Sequence, residues 1–435
     1  MTVLRLFASA PTVKGCIMNS EYILPDKIIK LMKKGVMIPN PCSVEIGENV
    51  EIDRISDRGV VLYSGTKLYG SKTLICADTK LGYEAPVTVV DCQLGRGVKL
   101  NGGFFKGSVF LDGVEMAYGA HVRDGCILEE EARAAHTVGL KQTILFPFVT
   151  LGSLINFCDC LMSGGTDGKN HSEVGSSYIH FNYTPNQDKA TASLIGDVPT
   201  GVMLNQAPIF LGGQGGLVGP VRIGHGTMIA AGTIYKKDCP EGGKLLAGGR
   251  DTSVEKEFYR GLYCDVGRKA RNNICYIANL LALKQWYLHV RPSFFHNHEF
   301  GLELCEGAVE KLDMALKERL KRFKAFSENM GESVRICRDI LNEKKRGFTL
   351  DLEEELLNNW LRLEKCLTKG LEEATALEKR DLFLDALNSG RDAEAGYVKA
   401  IQSLDDKALS FGTEWLQAVV DRITREALDI VPSCR

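Results

Sequence analysis

The sequence predicts a left-handed parallel β-helix followed by an all-α helical bundle. Three observations carry that reading. Apolar residues recur every six positions through the first part of the chain. Glycine and proline collect there too: 35 of the 45 glycines precede residue 251, and only Pro292 and Pro432 follow it. Beyond that point the apolar period becomes three and four, and Trp286, Trp360 and Trp415, the only tryptophans, all lie there.

Residues 1–41 read as an N-terminal extension and a linker helix. The opening MTVLRLFASAPTVKG is too weakly apolar for a signal peptide. Residues 42–250 carry the hexad. Phe104, Phe110, Met116, Val122 and Leu128 are six apart, as are Leu145, Leu151 and Phe157, and Leu211, Leu217, Ile223 and Ile229. Neither a helix (3.6) nor a half-buried strand (2) has this period. A triangular coil does: one apolar residue per face points inward, and small residues turn the corners. With three hexads to a coil the stretch holds roughly ten coils. Segments 159–173 and 184–209 break the period and read as projecting loops, where sites tend to sit. Residues 251–435 read as five to seven amphipathic helices, with apolar stripes such as Cys305, Val309, Leu312, Leu316, Leu320 and Phe323. The expected join is LLAGGRD, about 245–252. The helical part is expected to cap the open end of the prism, because an uncapped end exposes strand edges and core.

Composition narrows the function. Lys+Arg number 53 against 55 Asp+Glu, a net charge of −2, which argues against bulk electrostatic binding of nucleic acid. No apolar run is long enough to span a membrane. The 14 cysteines are scattered and read as reduced thiols of a cytoplasmic protein. Cys158 and Cys160 form C-x-C with no second pair, so no metal site is expected. GGQGG at 212–216 lacks the Lys-Ser/Thr ending of a phosphate loop and reads as a coil corner.

Three segments carry a resemblance. IIKLMKKGVMIPNPCSVEIGENVEID (28–53), HFNYTPNQDKATASLIGD (180–197) and IFLGGQGGLVGPVRIGHGTMIAAGTI (209–234) resemble the acetyltransferase half of bifunctional N-acetylglucosamine-1-phosphate uridyltransferase/glucosamine-1-phosphate acetyltransferases. No glycine-rich nucleotide loop precedes the helix, so a complete uridyltransferase is not expected. The resemblance implies N-acetyl transfer from acetyl-CoA to an amino sugar phosphate or a nucleotide-linked amino sugar, in a homotrimer with sites between prisms. It implies His171 as general base and Asn182 as a catalytic residue near the substrate and the acetyl group. Asn156, Lys169, Glu173, Tyr183 and Lys189 are the expected substrate contacts. Gly213, Thr227 and Ala230 are expected along the pantetheine groove. His180 is a second candidate histidine but sits where a strand is expected, which favours a structural role.

Two departures stand out. Leu161 occupies a position where the resemblance expects a lysine, and no arginine sits near Thr143. A second reading therefore stays open: a non-catalytic, sugar-nucleotide-binding or regulatory subunit, or a trimeric scaffold, working with a separate UDP-sugar pyrophosphorylase. The helical part would then recruit a protein partner.

Overall fold

The computed structural model describes residues 23–248, 255, 257–296, 298–340, 347–369, 375–389 and 396–435. The first 22 residues of the expected extension, and the end of the expected join, lie outside them.

The first part is a left-handed parallel β-helix with three faces. Face A runs from Glu45–Ile46 to Ile234–Tyr235, face B from Leu74–Ile75 to Arg222–Ile223, and face C from Val61–Leu62 to Leu245–Leu246. Face C alone is a sheet of ten strands. Two long strands, Val138–Leu145 and Ile155–Met162, run from face A to face B without a break. The hexad residues Phe110, Met116, Val122, Leu128, Leu211, Leu217 and Ile229 are completely buried in the prism. Phe104 is a correction. Its neighbour Phe105 points inward, while Phe104 lies outside against the ring of His121, 5.2 Å away. The corner between Phe105 and Phe110 is one residue short, so the count of six slips there.

Helix α1 (Asp26–Lys34) closes the N-terminal end. Ile28 and Leu31 are buried on the first coil. Lys27 Nζ donates to the carbonyls of Gly47, Glu48 and Val50, and Lys34 Nζ to those of Ile52, Asp53 and Ile55. The two ammonium groups satisfy carbonyls that no lower coil can pair.

A four-residue helix, α2 (Val198–Gly201), interrupts the solenoid. The helical region then comprises α3 (Val266–His289), α4 (Pro292–Phe295), α5 (Gly301–Glu328), α6 (Met330–Ile340), α7 (Gly347–Asn358), α8 (Trp360–Lys369), α9 (Leu377–Ser389), α10 (Tyr397–Gln402) and α11 (Asp406–Ile430). Among the described residues, seven of these nine have ten or more residues.

This region does not cap the prism end, contrary to the expectation. It lies lengthwise along face B. Glu299 bonds Ser56 at 2.7 Å, and Glu310 bonds Lys72 at 2.7 Å. Gly307 packs on Gln93, Arg319 pairs with Asp159, and Asn272 bonds Asp238 at 2.9 Å. The contacts thus run from the first coils to the last.

The cause is in the strands. On face C the outward residues include Lys80, Lys99 and Arg133, all exposed. On face B, apart from Gln93 and Arg222, they are Leu74, Val109, Ile127, Ile144, Leu161 and Leu194, none more than 4% exposed. A strand apolar on both sides must be covered on both sides. Each of these side chains stabilises the docked state by roughly 2 kcal/mol.

A polar knot crosses the same junction. Arg291, 1% exposed, forms an ion pair with Glu130 and lies 3.8 Å above the Tyr397 ring. Tyr287 donates to Glu129 at 2.6 Å. The second oxygen of Glu129 has no hydrogen-bond partner among the described residues.

Candidate functional site

Three insertions interrupt the prism in succession: 163–172, 182–192 and 196–209. This narrows the expected loops. Residues 160–162 and 193–195 lie inside the predicted breaks, yet both are rungs of face B in register with each other.

The first insertion leaves the corner between faces B and C as a hairpin, Gly165–Asp167 against Asn170–His171. Asp167 Oδ1 makes the turn by accepting from the amides of Lys169 (2.7 Å) and Asn170 (3.1 Å). These bonds hold its carboxyl below the usual range. Gly165 is required: its φ is +100°, and a Cβ there would lie 2.6 Å from the His171 Cα. His171 is half-buried. Its Nδ1 lies 3.4 Å from the Ser172 carbonyl, and its Nε2 has no partner among the described residues. Lys169 is exposed at the turn. Glu173 points outward from face C between Thr150 and Phe210. A Cβ on Gly168 would lie 3.9 Å from Arg133 Nη2, so a guanidinium that sequence reasoning missed sits under the hairpin. Arg133 belongs to an earlier coil, and only the stacking brings it near.

Behind the hairpin root lies a second group that sequence reasoning passed over. His225 Nε2 is 3.0 Å from Ser163 Oγ, and its Nδ1 is 3.3 Å from Thr200 Oγ1. Thr200 donates to Asp197 Oδ1 at 2.8 Å, and that carboxylate also caps α2. Burial lowers the pKa of His225, with the Asp197 charge opposing. Thr200 and Ser163 are thus the two hydroxyls that hold the ring, and Ser163 Oγ also donates to Asp197 O at 3.1 Å. A Cβ on Gly196 would come within 2.2 Å of Ser163 Oγ and 2.6 Å of His225 Nε2, so glycine clears this space. Ser163 is fully buried, which makes the group a tie between three coils rather than an open nucleophile. Its sequence signal was a histidine after Ile-Gly, at a corner that usually takes a small residue.

The second insertion leaves the corner between faces A and B. Asn182 Nδ2 donates to Asp159 Oδ2 at 2.8 Å, and Asp159 Oδ1 accepts from Arg319 of α5 at 2.5 Å. Tyr183 is 61% exposed and Lys189 is exposed. Asn186 ties the loop to the helical region through Leu262 O and Gly261 N. His180 is structural, as its strand position favoured. Its Nδ1 is 2.7 Å from Cys158 O and its Nε2 2.8 Å from Ser193 Oγ, and burial brings its pKa down to about 4.

The remaining expected residues lie elsewhere. Asn156 is exposed on face A, where its Oδ1 accepts from the Cys158 thiol. Gly213 and Ala230 line the corner between faces C and A. Thr227 is a correction: its side chain is fully buried in the prism and offers no surface to a pantetheine arm.

Within one chain, then, Lys169, His171 and Glu173 come together with Arg133. Asn182, Tyr183 and Lys189 share a second corner. Gly213 and Ala230 share the third. The two departures also gain a physical reason. Leu161 is fully buried on face B under the helical region, and Thr143 is fully buried inside the prism, where its Oγ1 donates to Phe157 O at 2.8 Å; a lone lysine or arginine at either place would lose its water.

No protein-family model matches the chain. It is similar to the bifunctional protein GlmU of Thermotoga maritima, 28% identical over 247 residues, which cover 57% of this chain and 49% of that protein. The bifunctional protein GlmU of Caldanaerobacter subterraneus subsp. tengcongensis is 29% identical over 238 residues, 54% of this chain and 47% of that protein. That of Streptococcus equi subsp. zooepidemicus is 28% identical over 244 residues, 55% and 47%. The chain therefore spans about half the length of the curated relatives it matches.

Proposed function

We propose that this chain is a hexapeptide-repeat acyltransferase. It moves the acetyl group of acetyl-CoA to the amine of an amino sugar phosphate or a nucleotide-linked amino sugar. The observation that carries the reading is the hairpin 165–171, which presents His171 half-exposed with an unbonded Nε2. An imidazole so placed takes the amine proton as the nitrogen attacks the thioester carbonyl. CoA leaves as the thiol once the tetrahedral intermediate collapses. Lys169 and Arg133 beside the hairpin supply positive charge for the acceptor's phosphate, since Thr143 and Leu161 are both buried. The similarity to bifunctional GlmU proteins supports the same class of chemistry.

The three corners of a prism point apart. In this reading Asn182, Tyr183 and the Gly213–Ala230 groove meet His171 only from neighbouring copies, which supports a homotrimer. Faces A and C remain for those contacts, because face B is covered in the same chain. Residues 42–250 and 251–435 act as the two domains. The free cysteines support a reducing, cytoplasmic setting. Among the described residues, no helix is long and apolar enough to cross a membrane.

The test is release of free CoA thiol with a panel of amino sugar phosphates and nucleotide-linked amino sugars. At least one acceptor should turn over, and His171→Ala should lower kcat by about 10² to 10⁴. No turnover by the wild-type protein with any acceptor, alongside thermal stabilisation by a UDP-sugar but not by CoA, would replace this reading with that of a binding subunit.

A further inference from the structure

We propose that Arg319, in the helical region, is a positioning residue for the acyl-transfer site. It fixes Asp159, and Asp159 fixes the amide of Asn182. The inference rests on the functional reading above in giving Asn182 a role.

The chain of contacts is short and directional. Arg319 Nη2 donates to Asp159 Oδ1 at 2.5 Å, and Asn182 Nδ2 donates to Asp159 Oδ2 at 2.8 Å. Arg319 is 2% exposed and Asp159 6%. Asp159 has a φ of +60°, at the corner where the strand Ile155–Met162 turns from face A to face B. That backbone aims its carboxylate out of the prism, into the junction with α5. An ionised carboxylate only accepts hydrogen bonds. It therefore selects one of the two orientations of the Asn182 amide: Nδ2 inward and Oδ1 turned away. Arg319 engages Oδ1 of Asp159, which leaves Oδ2 as the oxygen that faces the Asn182 amide. The facing groups include His180, Cys158 and Cys160 from the solenoid and Tyr276 from α3. His180 is neutral, so Arg319 is the charge that matters. The Nη1 of Arg319 is buried without a partner among the described residues, so the guanidinium makes its strong bond to Asp159 alone.

In this account the helical region is more than a cover for face B. It supplies a working part of the site from about 160 residues away in sequence.

The experiment is a double-mutant cycle on the full-length protein, with Arg319→Met, Asn182→Ala and the pair. If Arg319 acts through Asn182, Arg319→Met lowers kcat at least tenfold in the wild-type background and less than twofold in the Asn182→Ala background. Arg319→Lys, which keeps a donor and a charge, recovers part of the loss. Equal losses in the two backgrounds would overturn the proposal and leave Arg319 as a docking residue only. A second measurement does not depend on turnover. The side-chain amide resonances of Asn182, identified by their loss in Asn182→Ala, should shift in Arg319→Met and stay in place in Arg319→Lys. Unchanged resonances in Arg319→Met would overturn the proposal even if the acyl-transfer reading had failed. If Arg319→Met does not fold, Asp159→Asn serves in both measurements, because it keeps the shape and loses the acceptor-only character.

Discussion

Glu129 should make this protein less stable as pH rises through neutrality. Burial, its largest cause, pushes its pKa from 4.5 up to about 7. The Glu130 charge adds to the rise, and Arg291 and the Tyr287 bond oppose it. The folded chain therefore holds a proton on Glu129 between about pH 4.5 and 7 that the unfolded chain has released. More protons bound in the folded state means that stability falls as pH rises across that window. The contribution is fully present below pH 4.5 and gone above about 7. At about 1.36 kcal/mol per pH unit, the interval amounts to roughly 3 kcal/mol. Glu129→Gln tests this. The amide can still accept from Tyr287 and carries no charge to bury. Denaturant unfolding from pH 5 to 8 should show the variant gaining on the wild-type protein as pH rises, by up to about 3 kcal/mol at pH 8. The comparison cancels the histidines. His180 and His225 have lowered pKa values and add stability with rising pH in both proteins. Parallel profiles for the two proteins would show that Glu129 does not titrate in this range, and the reasoning would fail.

Three further outcomes follow from the packing. His180→Ala should cost roughly 2–4 kcal/mol in unfolding measurements, because it leaves a cavity and strips partners from Cys158 O and Ser193; a loss under 0.5 kcal/mol would contradict its structural role. Lys27→Met and Lys34→Met should each lower stability by about 1 kcal/mol, whereas Lys30→Met, on the exposed side of α1, should not. Removing residues 257–435 should cause aggregation through face B, where Leu74, Val109, Ile127 and Ile144 would meet water; a monodisperse solenoid in gel filtration would argue against that.

Much of the architecture was legible because the hexad is a short-range signal. Each of Phe110, Met116, Val122 and Leu128 needs only its own face to point inward, and the period survives until a corner changes length, as between Phe105 and Phe110. The covering of face B was also written in the chain, as pairs such as Val109-Phe110, Ile127-Leu128 and Ile144-Leu145 where other faces read Lys99-Leu100 or Glu115-Met116. It was missed because an inward residue alone accounts for the period, and the outward column goes unread. The site was less legible. His171 and Lys169 could be picked from a polar loop, but Arg133 and Arg319 belong to other coils and another region, and no local spacing links them to it.

The sequence by itself determined the kind of solenoid, its glycine-rich corners, the change to helices and the stretch that carries the insertions. These follow from periodicity and backbone preference, which act over a few residues. Only the tertiary structure decided that the helices lie along face B instead of over the prism end. It alone decided that Leu161 is covered, that Thr143 and Thr227 are inside, and that Arg319 meets Asp159 beside Asn182. Those outcomes depend on which surfaces find each other across more than a hundred residues, where burial of apolar area and pairing of charge are settled by the whole fold.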